Sequence, residues 1–194
     1  MAADAYMTAL EEKLGLPKNS VGLMPLIETA LGVENSFSIA TSTERIFALF
    51  LGAEDLTADL RCKRTKQGRE IEYARTRLVM AARAANVEVY DTPFTDVNDD
   101  AGIWEDAAVA KGLGFSGKAS ISPRHLEAIN QTFSPTMEEI DYAYEVLEAI
   151  AMAKAQGKGA IALRGKMIDA PIVARAQRTI QMAEQLGLDR REEV

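Results

Sequence analysis

The chain has 194 residues, 47% hydrophobic and 26% charged, a mixture that supports a packed core and lies far from disordered or fibrous compositions. Lys plus Arg number 22 against 29 Asp plus Glu, a net charge of −7 that argues against nucleic acid or an anionic membrane surface as partner. A single cysteine, Cys62, and a single histidine, His125, exclude an internal disulfide, a zinc–thiolate site and a two-histidine relay. No run approaches the roughly 18 apolar residues of a membrane helix, and the first residues lack a basic signal-peptide start, so a soluble, reducing, cytoplasmic setting is expected.

Residues 1–17 read as a helix that carries Ala9, Leu10, Leu14 and Leu16 and stops at Gly15-Leu-Pro17. Four apolar runs follow: Val21–Ile27, Ile46–Leu51, Val87–Tyr90 and the weaker Ala119–Ile121. Short runs without strict alternation suit parallel strands buried on both faces. Helices are predicted over Asn35–Ala40, Ile71–Ala85 and Gly102–Leu113. In the second, Ile71, Ala74, Leu78, Ala81, Ala82 and Ala85 recur at three to four residues, giving one apolar stripe. After about residue 133 the pattern changes. Thr136-Met-Glu-Glu139 is a capping box opening a helix that runs to Gly157. Ala160–Leu163 and Met167-Ile168 flank Arg164-Gly-Lys166 as a hairpin, Pro171 opens a last helix to Gly187, and Asp189–Glu193 reads as a frayed tail. The expected organisation is therefore 1–133 and 134–194.

The strand ends fall at Glu28, Asp55, Asp91 and Lys118, at intervals of 27, 36 and 27 residues. A (β/α)8 barrel of about 250 residues has about 31 per unit, so the match is to four units in series, half a barrel. In a parallel α/β fold all C-terminal strand ends lie on one face, which would bring carboxylates distant in sequence together. Glu28 and Asp55, on adjacent strand ends, can hold one hard divalent cation, Mg²⁺ or alternatively Mn²⁺, by oxygen ligands. The plainer reading is a helix-start acid favoured by the helix dipole. Glu54 reads as turned to the periphery or a salt bridge, and Asp91 as a hydrogen-bonded loop residue.

Other motifs carry less. Asp96–Asp100 lacks the spacing and terminal Glu of a calcium loop. Gly112–Lys118 has the first part of a phosphate loop, but Ala119 stands where Ser or Thr would bind magnesium, so a helix end and turn is the better reading. His125 reads as part of a helix first turn. Cys62, in Arg61-Cys-Lys-Arg64, has a basic setting but no partner base. Asp169, two residues before Pro171, has the pattern of a helix N-cap.

Taken in order, Pro25-Leu-Ile-Glu-Thr-Ala-Leu-Gly32, Gly52-Ala-Glu-Asp-Leu56, Tyr73-Ala-Arg-Thr-Arg77, Asp91-Thr92, Gly114-Phe-Ser-Gly-Lys118, Phe133-Ser-Pro-Thr136 and Gly165–Pro171 resemble the citrate lyase β-subunit-like family, which includes malyl-CoA and citramalyl-CoA lyases. The resemblance spans roughly residues 8–187. It implies the last four units of a metal-dependent (β/α)8 barrel with a C-terminal helix-hairpin-helix extension. It implies Glu28 and Asp55 as Mg²⁺ ligands, the Gly52-Ala53-Glu54 backbone as the contact to an oxo-acid carboxylate, and Asp169 as the acid/base on a lid. The substrate implied is a CoA or acyl-carrier thioester, cleaved to an acetyl thioester and an oxo acid. The chain has Ile121-Ser-Pro123 where the family has Ile-His-Pro. The arginine that clamps the oxo-acid carboxylate falls in the first four units, which have no counterpart here. Completion by a complementary half-barrel chain, or by self-association, is therefore expected. The alternative is a non-catalytic accessory subunit or inactive truncated form.

Overall fold

The structure, a computed structural model, describes residues 2–155 and 161–188. The chain divides after Phe133 into two units. In the first, helix α1 (Ala2–Leu14) ends at Gly15, whose φ of +67° closes the helix. Strand β1 (Leu26–Ile27) leads to short helices α2 (Ala30–Glu34) and α3 (Ser36–Ala40). Then come β2 (Ala48–Leu51), α4 (Ala53–Asp59), α5 (Glu72–Ala85), β3 (Glu88–Asp91), α6 (Asp100–Leu113), β4 (Gly117–Lys118) and α7 (Leu126–Phe133). The strands form one all-parallel sheet in the order β1-β2-β3-β4, with Ile27 beside Leu51, Phe50 beside Tyr90 and Asp91 beside Lys118.

The alternation along the strands divides the sheet into two unlike faces. Ile27, Leu49, Leu51 and Val89 point into a core completed by Val33, Ala40, Leu56, Ala74, Leu78, Ala82 and Ala110 from the surrounding helices. The α5 stripe supplies Ala74, Leu78, Ala81 and Ala82 to it, as its periodicity predicts. On the other face Leu26 is 46% exposed and Phe50 and Tyr90 are half-buried. That face carries an open pocket of about 290 Å³ lined by Met24, Phe47, Phe50, Tyr90, Lys118 and Ala119. Among the described residues of the first unit, the helices that complete the core pack on one side of the sheet.

Several predicted bounds move. The first strand is only Leu26–Ile27 because Pro25 offers a carbonyl but no N–H; upstream, Leu23 makes one isolated parallel bridge to Ile46. The fourth strand lies at Gly117–Lys118, before the apolar Ala119–Ile121, where Ser116 N–H and Ala119 N–H donate to the carbonyls of Val89 and Asp91. Asp91 belongs to β3 itself. Helix α4 has no counterpart in the sequence reading, and α7 follows the turn at His125 where a helix start is expected.

Helix α1 is tied down by charge. The Glu11 carboxylate accepts from Arg45 Nη1 and Nη2, both at 2.6 Å, and from the Asn19 and Val21 N–H groups. The Arg45 hydrogen bond above all, against the opposing pull of burial and with help from the two N–H donors, lowers the Glu11 pKa to about 2.

The second unit pairs α8 (Met137–Ala155) with α9 (Ala170–Gln185) around Ala143, Val146, Ile168, Ala176 and Ile180. The capping box forms: Thr136 Oγ1 accepts from Glu139 N–H and the Glu139 carboxylate accepts from Thr136 N–H. Strands β5 (Ile161–Leu163) and β6 (Lys166–Ile168) make an antiparallel hairpin whose Arg164-Gly165 turn has positive φ at both residues, the mirror-image turn that suits strand twist. The predicted helix end at Gly157, the strand start at Ala160 and the tail at Asp189–Glu193 lie outside the described residues. No helix among the described residues is long and apolar enough to cross a membrane.

Candidate metal centre

Glu28 and Gly52 are the residues that follow the paired Ile27 and Leu51, so they leave the sheet side by side. Gly52 N–H donates to the Ile27 carbonyl at 2.9 Å. A Cβ on Gly52 would stand 2.9 Å from Glu28 Cβ and 3.1 Å from Glu28 Oε2, so the close approach of the Glu28 side chain requires glycine there. Gly52 starts α4, and Asp55 lies in the first turn of that helix. Glu28 is half-buried and Asp55 exposed. Neither carboxylate has a hydrogen bond or ion pair among the described residues. An uncommitted carboxylate after β1 and another in the first turn of the helix after β2 have the oxygen-donor chemistry a hard cation prefers. No group of three or more His, Cys, Asp or Glu among the described residues is placed to hold a metal.

Glu54, beside Asp55, turns away: its carboxylate lies 3.5 Å from Arg64 Nε, and Arg64 is fixed in turn by Glu70 at 2.8 Å. The N–H of Ala53, fully buried, donates to Thr92 Oγ1 at 3.2 Å.

Asp91 behaves differently from Glu28 and Asp55. It is fully buried and points to the helix side of the sheet. Arg75 of α5 donates to it through Nε at 3.0 Å and Nη2 at 2.8 Å, and Lys118 Nζ donates at 2.7 Å. Asp106 of α6 closes the cluster, 2.7 Å from Arg75 Nη2 and 2.5 Å from Lys118 Nζ. Two cations and two carboxylates balance. Burial pushes the Asp106 pKa up, but the charges of Lys118 and Arg75 outweigh it and hold that pKa below its usual value. Burial likewise opposes the Arg75 charge, and Asp91 and Asp106 more than restore it. Asp91 is therefore a strand residue in a buried ionic cluster rather than a loop residue.

Sequence reasoning passed over this cluster, yet its signal is visible. Arg75 falls in phase with Ile71, Leu78 and Ala82 on the apolar stripe, and Asp106 in phase with Ile103, Ala107 and Ala110. A charge on a buried stripe needs a buried partner.

The remaining candidates settle simply. Gly112–Lys118 runs from helix to strand, with Gly114 at φ +101° closing α6 and Lys118 Nζ held in ion pairs, so it is not a phosphate loop. His125 sits in a 3-10 turn (Pro123–His125) capped by Ser122, buried 5.9 Å from the Phe94 ring centre. Cys62 is an exposed free thiol. Asp169, in the second unit, is the N-cap of α9, accepting from Ile172 N–H at 3.3 Å.

An all-parallel sheet whose strands alternate with helices defines the class: an α/β protein with its strand ends gathered on one side. Residues 1–123 match the model of the HpcH/HpaI aldolase/citrate lyase family, and the chain belongs to that family. It is 40% identical over 180 residues to the citrate lyase subunit beta of Leuconostoc mesenteroides subsp. cremoris, covering 93% of this chain and 60% of that protein. It is 33% identical over 190 residues to the mitochondrial citramalyl-CoA lyase of Homo sapiens, covering 93% and 55%. The chain thus spans under two thirds of the length of these relatives. Among solved structures it is similar to the CitE protein of Mycobacterium tuberculosis in complex with magnesium, acetoacetate and coenzyme A, with a TM-score of 0.71 and 28% identity over 84% of this chain and 61% of that one.

Proposed function

We propose that this chain is the metal-bearing part of a Mg²⁺-dependent carbon–carbon lyase that cleaves a 3-hydroxyacyl thioester, of citramalyl-CoA, malyl-CoA or citryl type, to an acetyl thioester and an oxo acid. The observation that carries the reading is the contrast among the acids that follow the strands: Asp91 is enclosed by Arg75 and Lys118, while Glu28, just after β1, and Asp55, in the first turn of the helix after β2, keep carboxylates with no partner among the described residues. Support comes from the relatives named as citrate lyase subunits and citramalyl-CoA lyases and from the similar structure containing magnesium and coenzyme A.

Glu28 and Asp55 would hold Mg²⁺, with Mn²⁺ the nearest substitute. The ion supplies Lewis-acid polarisation of an oxo-acid carbonyl and offsets carboxylate charge. The Gly52-Ala53-Glu54 backbone is proposed to meet the oxo-acid carboxylate at the positive end of α4. Because Ala53 N–H is already bonded to Thr92, Glu54 N–H is the first donor left for that task. Asp169 is the proposed acid/base. As the carbon–carbon bond breaks, the hydroxyl proton would pass to solvent water, its oxygen would become the carbonyl of the oxo acid, and the protonated Asp169 would deliver one proton to the α-carbon of the departing acetyl thioester. In the synthetic direction Asp169 removes it.

The sheet is proposed to be the last four units of a (β/α)8 barrel, and the hairpin of the second unit to be a lid that serves a neighbouring subunit's site. A parallel sheet is stable when both faces are covered. The exposed Leu26 and the half-buried Phe50 and Tyr90 therefore mark the surface that the rest of a closed barrel would cover.

Titration with Mn²⁺ followed by calorimetry tests the site. Wild type should bind saturably, and Glu28→Ala or Asp55→Ala should abolish binding. Citramalyl-CoA cleavage, measured with and without a complementary half, tests the activity. Asp169→Asn separates two roles: Asn caps a helix as well as Asp does, so helix content should stay while turnover falls about 10²–10⁴-fold. A chain that takes up no Mn²⁺ and cleaves nothing even with its complement is the accessory, non-catalytic protein.

A further inference from the structure

We propose that Thr92 is a positioning residue that sets the Asp55-bearing turn from across the sheet, an inference that rests on the metal reading of Glu28 and Asp55. The first N–H groups of a helix have no acceptor within the helix. At Ala53 that N–H is buried and must find one. A Ser, Thr, Asp or Asn at the preceding position accepts from the second or third helical N–H, so the first must find its acceptor elsewhere. Here the preceding residue is Gly52 and makes no side-chain cap. No larger residue fits, since a Cβ there would stand 2.9 Å from Glu28 Cβ. The closeness of one proposed ligand thus denies a local cap to the helix carrying the other.

Thr92, 39 positions along the chain, supplies that acceptor: its Oγ1 accepts the Ala53 N–H at 3.2 Å. Thr92 is itself buried and tied to the cluster. It is 2% exposed, its carbonyl accepts from Lys118 Nζ at 2.6 Å, and the same ammonium binds Asp91 and Asp106. The first turn of α4 is therefore tied to the buried ionic cluster through one hydroxyl, alongside the Gly52 N–H bond to the Ile27 carbonyl at 2.9 Å and the Ala30 N–H bond to the Asp59 carboxylate at 2.7 Å. This gives the cluster, which contains none of the proposed ligands, a part in setting the distance between them.

The test compares Thr92→Val, which keeps shape and removes the acceptor, with Thr92→Ser, which keeps the acceptor. Two readouts are taken on the full chain: Mn²⁺ affinity by calorimetry, and amide hydrogen exchange over Ala53–Leu56. Loss of a supporting hydrogen bond behind a ligand typically costs about 10–100-fold in metal affinity, and that range is expected for Thr92→Val. Exchange should accelerate in the first turn of α4 while α5 stays protected, and Thr92→Ser should resemble wild type in both readouts. If Thr92→Val does not fold, Thr92→Ala against Thr92→Ser answers the same question. Wild-type affinity together with unchanged exchange in the hydroxyl-free variant overturns the proposal. A wild-type protein that binds no Mn²⁺ overturns the metal reading instead, and the exchange comparison alone then decides the role of Thr92.

Discussion

The two halves of one sheet treat acidic residues in opposite ways. At the β3–β4 side, Asp91 and Asp106 are buried and each is paired with both Arg75 and Lys118. At the β1–β2 side, Glu28 and Asp55 leave adjacent strands with no cation among the described residues to answer them. The difference lies in side-chain direction. Asp91 faces the helices, where desolvation would be prohibitive without partners, and α5 and α6 supply them. Glu28 and Asp55 lie at the C-terminal end of the sheet, where water can solvate them until something displaces it. A carboxylate at a strand end is thus not evidence of a site by itself. Its partners decide whether it serves the fold or remains open to a ligand.

The contrast can be broken most forcefully at Arg75. Arg75→Ala leaves Asp91 and Asp106 short of one cation in a dry environment, and removing one partner of a buried pair costs about 3–5 kcal/mol. Urea denaturation should show that loss; a change below about 1 kcal/mol, the range of exposed pairs, would mean the cluster is effectively solvated. Acid provides a gentler probe. The folded-state pKa values of Glu11 and Asp106 are lowered, so the stability they contribute is complete above their unfolded values and declines as the pH falls through the folded ones. For Glu11 that window runs from its ordinary 4.5 down to about 2. A pH titration of unfolding should show stability falling on acidification below about pH 4.5 and flat just above it.

Much of the architecture is legible in the sequence because burial leaves a period. The α5 stripe, the capping box at Thr136 and the acids closing the apolar runs were readable from spacing alone. Helix α4 was not, because its seven residues contain only two turns and its apolar contact is essentially Ala53 and Leu56, too few to show periodicity. The strand at Gly117–Lys118 was misplaced because its two residues are chosen for pairing and charge, not for hydropathy. The placement of Glu28 against Gly52 depends on register between strands 24 residues apart, which no local pattern encodes. Arg75 and Asp106 were available to a reading that asked why charges sit on buried stripes. Thr92 was not, since a lone threonine after an aspartate has no signature for capping a distant helix.

The uncovered sheet face has a practical consequence. Phe50, Tyr90, Met24 and Leu26 offer an environment-sensitive dye a ready apolar surface on a chain whose helix-side core is fully packed. Fluorescent dye uptake, ordinarily taken as the mark of a molten globule, would here accompany a cooperative unfolding transition and intact near-ultraviolet dichroism, and it would fade as the face acquires its cover.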